Sequence, residues 1–342
     1  MKLAHAPEAH AHLPTEGVYL ESYLAPFAPW LERDDVSEIL VNRPGEIWIE
    51  SANAARMERV ALPAVDDRHL ARLAGQVARI SHQGINRAAP LLAATLPGGA
   101  RVQLVAPTAT RGHWAMAIRR HRLVDLPLSA YDHGALPEIV RDTPLDHRAN
   151  PIGYLRQAVR DRRTILVSGG TSTGKTTFLN ALLGEVPAEE RIILVEDTPE
   201  IRLRHANALG LVAVKGELGE AKIGADDLLQ AALRLRPDRI VVGELRSREA
   251  VTFLRAINTG HPGSFSTIHA NSPAGALDQL SLIVMQSGLG LSYADTITYA
   301  RQMIDVVVQL GRIDGRRSIL AIEPLHHPSS IRARPLEVVR GA

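Results

Sequence analysis

The chain has 342 residues, of which 45% are hydrophobic and 22% are charged, a length and composition that favour two globular domains over a disordered chain. It contains no cysteine, which excludes a disulfide framework and zinc sites with thiolate ligands, and no apolar run approaches the roughly 18 residues that a membrane-spanning helix requires. The 39 basic and 37 acidic residues give a net charge of only +2, so charge alone identifies neither a nucleic acid nor a lipid as a partner.

The first third of the chain predicts a small α+β domain over residues 18–120. Residues 1–17 have neither the basic cluster nor the apolar core of a secretory signal, so we expect a flexible N-terminus and a cytosolic protein. Apolar residues at helical spacing predict a first helix, which Pro26 and Pro29 should kink or shorten. The predicted elements are a helix at 18–31, strands at 38–42 and 46–50, a helix at 66–82, and strands at 101–106 and 114–119.

The second part of the chain, residues 151–335, has a different pattern. Residues 121–150, rich in Pro, Asp, His and Gly, predict a linker before it. Strand-like apolar runs then alternate with helical stretches, a pattern typical of a parallel sheet covered by helices on both faces, and therefore of an α/β domain. The predicted elements are strands at 164–167, 191–195 and 239–242 and helices at 178–186 and 226–235.

A phosphate-binding loop follows the first of these strands. Residues 169–176 match the pattern G-x-x-x-x-G-K-[ST] without a mismatch, between a strand and an amphipathic helix. Small residues let backbone N–H groups surround a phosphate at the positive end of the helix dipole. Lys175 would bridge the β- and γ-phosphates of ATP, and the Thr176 hydroxyl would ligate Mg²⁺. The predicted nucleotide-binding residues are Gly169, Gly170, Thr171, Ser172, Thr173, Gly174, Lys175, Thr176 and Thr177.

Three further segments carry polar residues at or near the ends of strands. Glu244 would orient or deprotonate a water, or would lie in an exposed loop. Glu196, Asp197 and Glu200 would hold Mg²⁺ through water, or would cap the next turn. His269 belongs to a Gly-rich segment and would sense a γ-phosphate through a hydrogen bond, although a buried histidine is more often satisfied within a core.

Taken in order, these segments resemble the motifs of the hexameric traffic ATPases of type IV secretion and conjugation systems, which are related to type II secretion and pilus-motor ATPases. The Walker A loop lies at 169–176, the Asp box at 193–200 and the His box at 260–269, and the Walker B segment ends at Gly243-Glu244. Gly243 takes the place of the usual terminal Asp. Residues 31–46 and 233–239 also look like this family, so the resemblance covers about residues 18–325.

The resemblance implies a C-terminal RecA-like P-loop domain, a smaller N-terminal α+β domain, and ATP hydrolysis with Mg²⁺ by a homo-hexameric ring. In this family the residue at Glu244 acts on the attacking water, the acid at Glu196 belongs to the Asp box, and the histidine at His269 lies near the γ-phosphate. Arg101 and Arg119 resemble the N-terminal arginines that reach nucleotide phosphates, and Arg120 stays open as the alternative to Arg119.

The implied partners are other type IV secretion components, namely inner-membrane ATPase and channel proteins, with peripheral contact to the cytoplasmic side of the inner membrane. The implied output is pilus assembly and the export of DNA or protein. A pilus-retraction or pilus-assembly motor, a nucleotide-binding scaffold with little turnover, and a nucleic-acid motor remain alternatives. Because aromatic residues make up only 4% of the chain and form no stacking platform among basic residues, direct nucleic-acid binding is expected to be weak or absent.

Overall fold

The computed structural model describes residues 18–52, 54–120, 145–214, 222–288 and 290–325. The predicted flexible N-terminus and most of the predicted linker therefore lie outside the described residues. Among the residues that are described, no helix combines the length and the apolarity needed to cross a bilayer.

The N-terminal part is built on a six-stranded antiparallel sheet with the strand order β3-β2-β1-β6-β5-β4. The predicted strands and helices of this part are confirmed, and β3 and β4 are additional edge strands. The strands are β1 (Val36–Val41), β2 (Gly45–Ser51), β3 (Glu58–Leu62), β4 (Leu91–Thr95), β5 (Arg101–Val105) and β6 (Ala115–Arg119), and the helices are α1 (Val18–Leu24), α2 (Ala28–Leu31) and α3 (Asp67–Ile80).

Local sequence explains where these helices begin and break. A 3₁₀ turn at Ala25–Phe27 separates α1 from α2, and a proline lies at the start of both the turn and α2, where it needs no N–H partner. The Asp66 side chain caps α3 by accepting from the His69 N–H at 2.6 Å. The buried face of α3 repeats at helical spacing, through Leu70, Leu73, Ala74, Val77 and Ala78.

The C-terminal part is built on a seven-stranded sheet with the order β13-β12-β7-β11-β10-β8-β9. Neighbouring strands run parallel, except that β13 is antiparallel to β12. The strands are β7 (Ile165–Gly169), β8 (Ile192–Glu196), β9 (Ala208–Val212), β10 (Arg239–Val242), β11 (Phe265–Ile268), β12 (Val306–Ile313) and β13 (Arg316–Pro324), and the helices are α4 (Pro151–Arg160), α5 (Lys175–Leu183), α6 (Ala225–Ala232), α7 (Glu249–Asn258), α8 (Pro273–Gln286) and α9 (Tyr293–Met303).

Both faces of this sheet are buried, so the predicted α/β class is confirmed. Successive residues of one strand enter different cores: Ile192 and Leu194 pack with α4 and α5, whereas Ile193 and Val195 pack with α6 to α9 and with the N-terminal sheet. Strands of a parallel sheet contain continuous apolar runs because helices cover both faces of the sheet.

A fully buried arginine supports the amino-terminal end of β10. Arg239 donates from Nε and Nη2 to the two carboxylate oxygens of Glu190, at 2.7 and 2.8 Å, and from Nη1 to the Gly263 carbonyl at 3.1 Å. Because a bidentate ion pair satisfies both charges, this guanidinium is stable inside the protein.

A second fully buried arginine joins the two parts of the molecule. Arg191 donates from Nη1 to Asn42 Oδ1 at 2.6 Å and to Asn207 Oδ1 at 2.5 Å, and from Nε to the Leu235 carbonyl at 2.9 Å. Burial lowers the pKa of Arg191 to about 9, which still leaves the group charged at neutral pH. Since Asn42 lies beyond β1 and the other partners lie in the C-terminal part, this cation helps to fix how the two parts meet.

A substitution at Gly263 would test how tightly Arg239 is enclosed. Gly263 and Gly260 both have positive φ, of 76° and 114°, but only at Gly263 would an added Cβ lie close to neighbours, 2.6 Å from Arg239 Nη1 and 2.8 Å from Arg162 Cα. We expect Gly260→Ala to destabilise the fold by about 1–2 kcal/mol through backbone strain, and Gly263→Ala by about 2–5 kcal/mol because overpacking adds to that strain. Thermal unfolding measures both, and equal shifts would contradict the tight enclosure of Arg239.

Candidate active site

The predicted site residues gather at one edge of the seven-stranded sheet. Strands β7, β11, β10 and β8 are consecutive neighbours and parallel, so their carboxyl ends meet at the same edge. The phosphate loop follows β7, His269 follows β11, Glu244 comes shortly after β10, and Glu196 ends β8. Four segments that are distant in sequence thereby form one candidate site.

The phosphate loop has the backbone that anion binding requires. Ser172 and Gly174 have positive φ, of 60° and 90°, and the chain then enters α5 at Lys175. No side chain caps this helix, so its first N–H groups point to the loop without a side-chain acceptor, as a phosphate-binding helix terminus requires. The Lys175 ammonium lies inside the loop and donates to the Gly169 and Gly170 carbonyls at 2.9 and 3.1 Å.

Lys175 is connected to the predicted catalytic glutamate through the predicted sensor histidine. Lys175 Nζ lies 3.3 Å from His269 Nδ1, and His269 Nε2 lies 2.9 Å from Glu244 Oε1. A neutral imidazole with its proton on Nε2 satisfies both contacts, accepting from the lysine and donating to the carboxylate. Burial lowers the pKa of Lys175, and the nearby Glu244 carboxylate opposes that change.

Arg246 is a site residue that the sequence analysis missed. Its guanidinium donates to the second carboxylate oxygen of Glu244 and lies 3.6 Å from Asp197 Oδ2. The hydrogen bond to Glu244 raises the pKa of Arg246. One cation thus bridges the Walker B acid and the Asp box, and the signal in the sequence was a basic residue two positions after Glu244.

The Asp box acids divide into a buried and an open group. Glu196 is 4% exposed, and its Oε1 accepts from the N–H groups of Glu200 and Ile201 at 2.9 and 2.8 Å. The Glu200 carboxylate in turn accepts from the Thr176 hydroxyl at 3.2 Å. Glu196 therefore shapes the turn that brings Glu200 to the phosphate loop.

A missed arginine from the N-terminal part completes the surroundings of Glu196. Arg111 lies between β5 and β6, and its Nη2 donates to Glu196 Oε2 and, at 2.7 Å, to the Ile201 carbonyl. No local pattern marks Arg111, because its partners are 85 and 90 residues away in sequence. Arg111 thus connects the N-terminal part directly to the Asp box.

The predicted phosphate arginines lie on the N-terminal sheet. Arg101 and Arg119 are opposite each other in the pairing of β5 with β6. Arg119 Nε lies 3.1 Å from the buried carboxylate of Glu38, and burial raises the pKa of Glu38 to about 7 while Arg119 opposes that rise. Arg120 donates to backbone carbonyls, including that of Val36 at 3.3 Å. Among the described residues, the side chains of these three arginines have no hydrogen bond or ion pair with the phosphate loop.

The chain matches known proteins over most of its length. Residues 21–313 match the family model described as "Type II/IV secretion system protein". The type IV secretion system protein VirB11 of Bartonella henselae is 34% identical over 325 residues, which cover 87% of this chain and 91% of that protein. The type IV secretion system protein PtlH of Bordetella pertussis is 38% identical over 329 residues, which cover 89% of this chain and 93% of that protein. The crystal structure of the VirB11 ATPase from the Brucella suis type IV secretion system, in complex with sulphate, is similar with a TM-score of 0.82 and 32% identity, over 90% of this chain and 95% of that one.

Two arginines of the N-terminal part allow a matched test of the Arg111 contact, since each pairs with a C-terminal glutamate. Arg111 pairs with Glu196, whose side chain is 3% exposed, whereas Arg56 and Glu189 are 71% and 38% exposed. We expect Arg111→Ala to destabilise the protein by about 1.5–3 kcal/mol, because a buried charge loses a hydrogen-bonding partner. Arg56→Ala should change stability by less than about 1 kcal/mol. The measurement is the midpoint of thermal unfolding, and similar shifts in the two variants would refute the importance of the Arg111 contact.

Proposed function

This chain belongs to the type II/IV secretion system protein family, and from that membership we propose that it hydrolyses ATP to power a type IV secretion machine. It is an ATPase of the type IV secretion branch, since its named relatives and the matched structure are type IV secretion proteins. A pilus motor is the less favoured alternative. The structural observation that carries the proposal is the hydrogen-bonded connection from Lys175 through His269 to Glu244.

We infer that the phosphate loop, residues 169–177, binds the ATP phosphates through the N–H groups at the start of α5. The Lys175 ammonium exchanges its two carbonyl acceptors for oxygens of the β- and γ-phosphates, which carry more negative charge and hold it more strongly. The Thr176 hydroxyl and the Glu200 carboxylate offer oxygen atoms, the donors that Mg²⁺ prefers. When bound, Mg²⁺ neutralises charge on the phosphates.

The water that attacks the γ-phosphate is oriented by Glu244. Each carboxylate oxygen of Glu244 has one partner, His269 on one and Arg246 on the other. Since each oxygen has two lone pairs, a lone pair stays available to accept a hydrogen bond from water. Asp197 offers Arg246 an alternative acid. His269 lies between Lys175 and Glu244 and so links the occupancy of the phosphate site to the position of the base. Glu196 maintains the shape of the Asp box turn. Glu196 and Asp197 would hold Mg²⁺ only through water molecules.

The wider assembly follows from the family rather than from a contact in this chain. We infer that residues 18–120 and 151–335 form two domains separated by a linker, that ATP lies between them, and that six copies form a ring. Arg101 and Arg119 reach phosphate oxygens when the domains close. The ring works beside other type IV secretion components at the cytoplasmic face of the inner membrane.

Two variants separate binding from hydrolysis. Lys175→Ala should abolish binding and turnover without unfolding the chain, because the side-chain hydrogen bonds of Lys175 stay within the loop and His269. Glu244→Gln should bind ATP and hydrolyse it about 100-fold or more slowly, because the amide keeps the shape and loses the basic oxygen. Phosphate release and ATP titration measure the two effects. Wild-type turnover in Lys175→Ala would remove the ATPase assignment, and a Glu244→Gln variant that no longer binds ATP would make Glu244 an organiser of the loop.

The N-terminal arginines provide a second test. Each charge-assisted hydrogen bond is worth about 1.5–3 kcal/mol, so removing Arg101 and Arg119 together should reduce turnover by about 100-fold or more. Because Arg119→Ala also leaves the buried Glu38 without its cation, the double variant should be compared with one that adds Glu38→Gln. The readouts are ATPase rate per subunit and oligomer mass. Wild-type turnover in an assembled double variant would refute the clamp.

A further inference from the structure

The hairpin of β12 and β13 lies along the side of the phosphate loop. Strand β12 runs parallel to β7 until Leu310 pairs with Gly169, and β12 then continues past the point where β7 ends. Ile313 and Arg316 form the last pair, and the two residues between them, Asp314 and Gly315, both have positive φ. Positive φ at both residues is the geometry of a tight two-residue hairpin turn. The tip of the hairpin therefore lies close to the phosphate loop.

Two arginines of this hairpin face the phosphate loop. Arg312 and Arg317 are directly opposite in the β12–β13 pairing, so their side chains project from the same face of the hairpin. Arg312 Nη2 donates to the Ser172 carbonyl at 3.1 Å, and Arg317 Nη1 lies 3.4 Å from the Thr177 hydroxyl. The Arg317 side chain also covers Gly174, where an added Cβ would lie 2.7 Å from Arg317 Cδ.

The charges of these two arginines lie beside neutral acceptors. Like charges directly opposite in a β-ladder are destabilising, and the acceptors that Arg312 and Arg317 use are a carbonyl and a hydroxyl, which are neutral. Within the described parts of the chain, neither arginine has a carboxylate partner within ion-pair distance. A pair of guanidinium groups beside the mouth of a phosphate loop matches the oxygens of a phosphate chain.

The strand order indicates which end of the nucleotide the pair would meet. Strand β7 lies between β12 on one side and β11 on the other. His269 and Glu244 follow β11 and β10, so the γ-phosphate chemistry lies on that side of the loop. The hairpin lies on the opposite side of β7, so a nucleotide whose γ-phosphate faces His269 and Glu244 would extend its α-phosphate and nucleoside towards the hairpin.

Building on the proposed function, we propose that Arg312 and Arg317 form a second phosphate clamp, which holds the α-phosphate end that ATP and ADP share. The clamp contributes to binding and not to the hydrolytic step, because it lies away from the attacking water. Its contribution to ADP and to ATP affinity is therefore the same, which distinguishes it from residues that contact the γ-phosphate.

The test uses the full-length chain with Arg312→Ala, Arg317→Ala and the double variant. Arg316→Ala is the matched control, because Arg316 lies on the same hairpin and is also exposed, but pairs with Ile313 on the other face. We expect each clamp variant to weaken ADP and ATP binding by about 10-fold, measured by calorimetric titration with each nucleotide. The double variant should raise KM for ATP with kcat unchanged, and Arg316→Ala should match the wild type.

Two results would overturn the clamp. If the double variant binds ADP as tightly as Arg316→Ala, the arginines do not contact the nucleotide. If the double variant loses affinity for ATP alone and has a lower kcat, the arginines act at the γ-phosphate. Failure of the wild-type chain to bind ADP or ATP would instead contradict the proposed function itself, and thermal unfolding without nucleotide identifies any variant that loses affinity by failing to fold.

Discussion

The parallel pairing of β8, β10, β11 and β7 is the constraint on which the candidate site depends. Parallel strands bring their carboxyl ends to one edge, so the residues that follow each strand become neighbours although up to 100 residues separate them in sequence. The pairing requires a buried sheet, and the alternating cores that Ile192 and Ile193 enter provide one. The fully buried Arg239 secures the opposite end of β10 through Glu190. The chemistry at one edge therefore depends on a well-packed sheet and on an ion pair near its other edge.

The contacts of Glu196 and Glu200 connect the N-terminal part to the phosphate loop. Arg111 holds one oxygen of Glu196, the other oxygen accepts from the backbone of the Glu200 turn, and Glu200 accepts from Thr176. Each link is a hydrogen bond, so an unbroken series of contacts runs from Arg111 in the N-terminal part to Thr176 in the phosphate loop.

The sequence predicted those features that short segments determine. The phosphate loop, the start of α3 near Asp66 and the breaks at Pro26 and Pro29 all result from local geometry, and the motif residues Lys175, Glu244 and His269 lie together as their order suggested. The edge strands β3 and β4 were missed because apolar and polar residues do not alternate clearly in them. Their conformation is determined by pairing with the neighbouring strands. Arg111 and the hairpin arginines could not be predicted, because their partners are distant in sequence. The Asp314-Gly315 turn was a usable signal for the hairpin.

The buried Arg191 has a consequence for how the two parts separate. A purely apolar interface loses its stabilisation when water enters, and it regains nothing in return. Separating the two parts would instead let water replace the Asn42 amide on the Arg191 guanidinium, while Asn207 and the Leu235 carbonyl stay bound to it. Hydration of this one cation would therefore offset part of the apolar contact energy that is lost if the two parts separate.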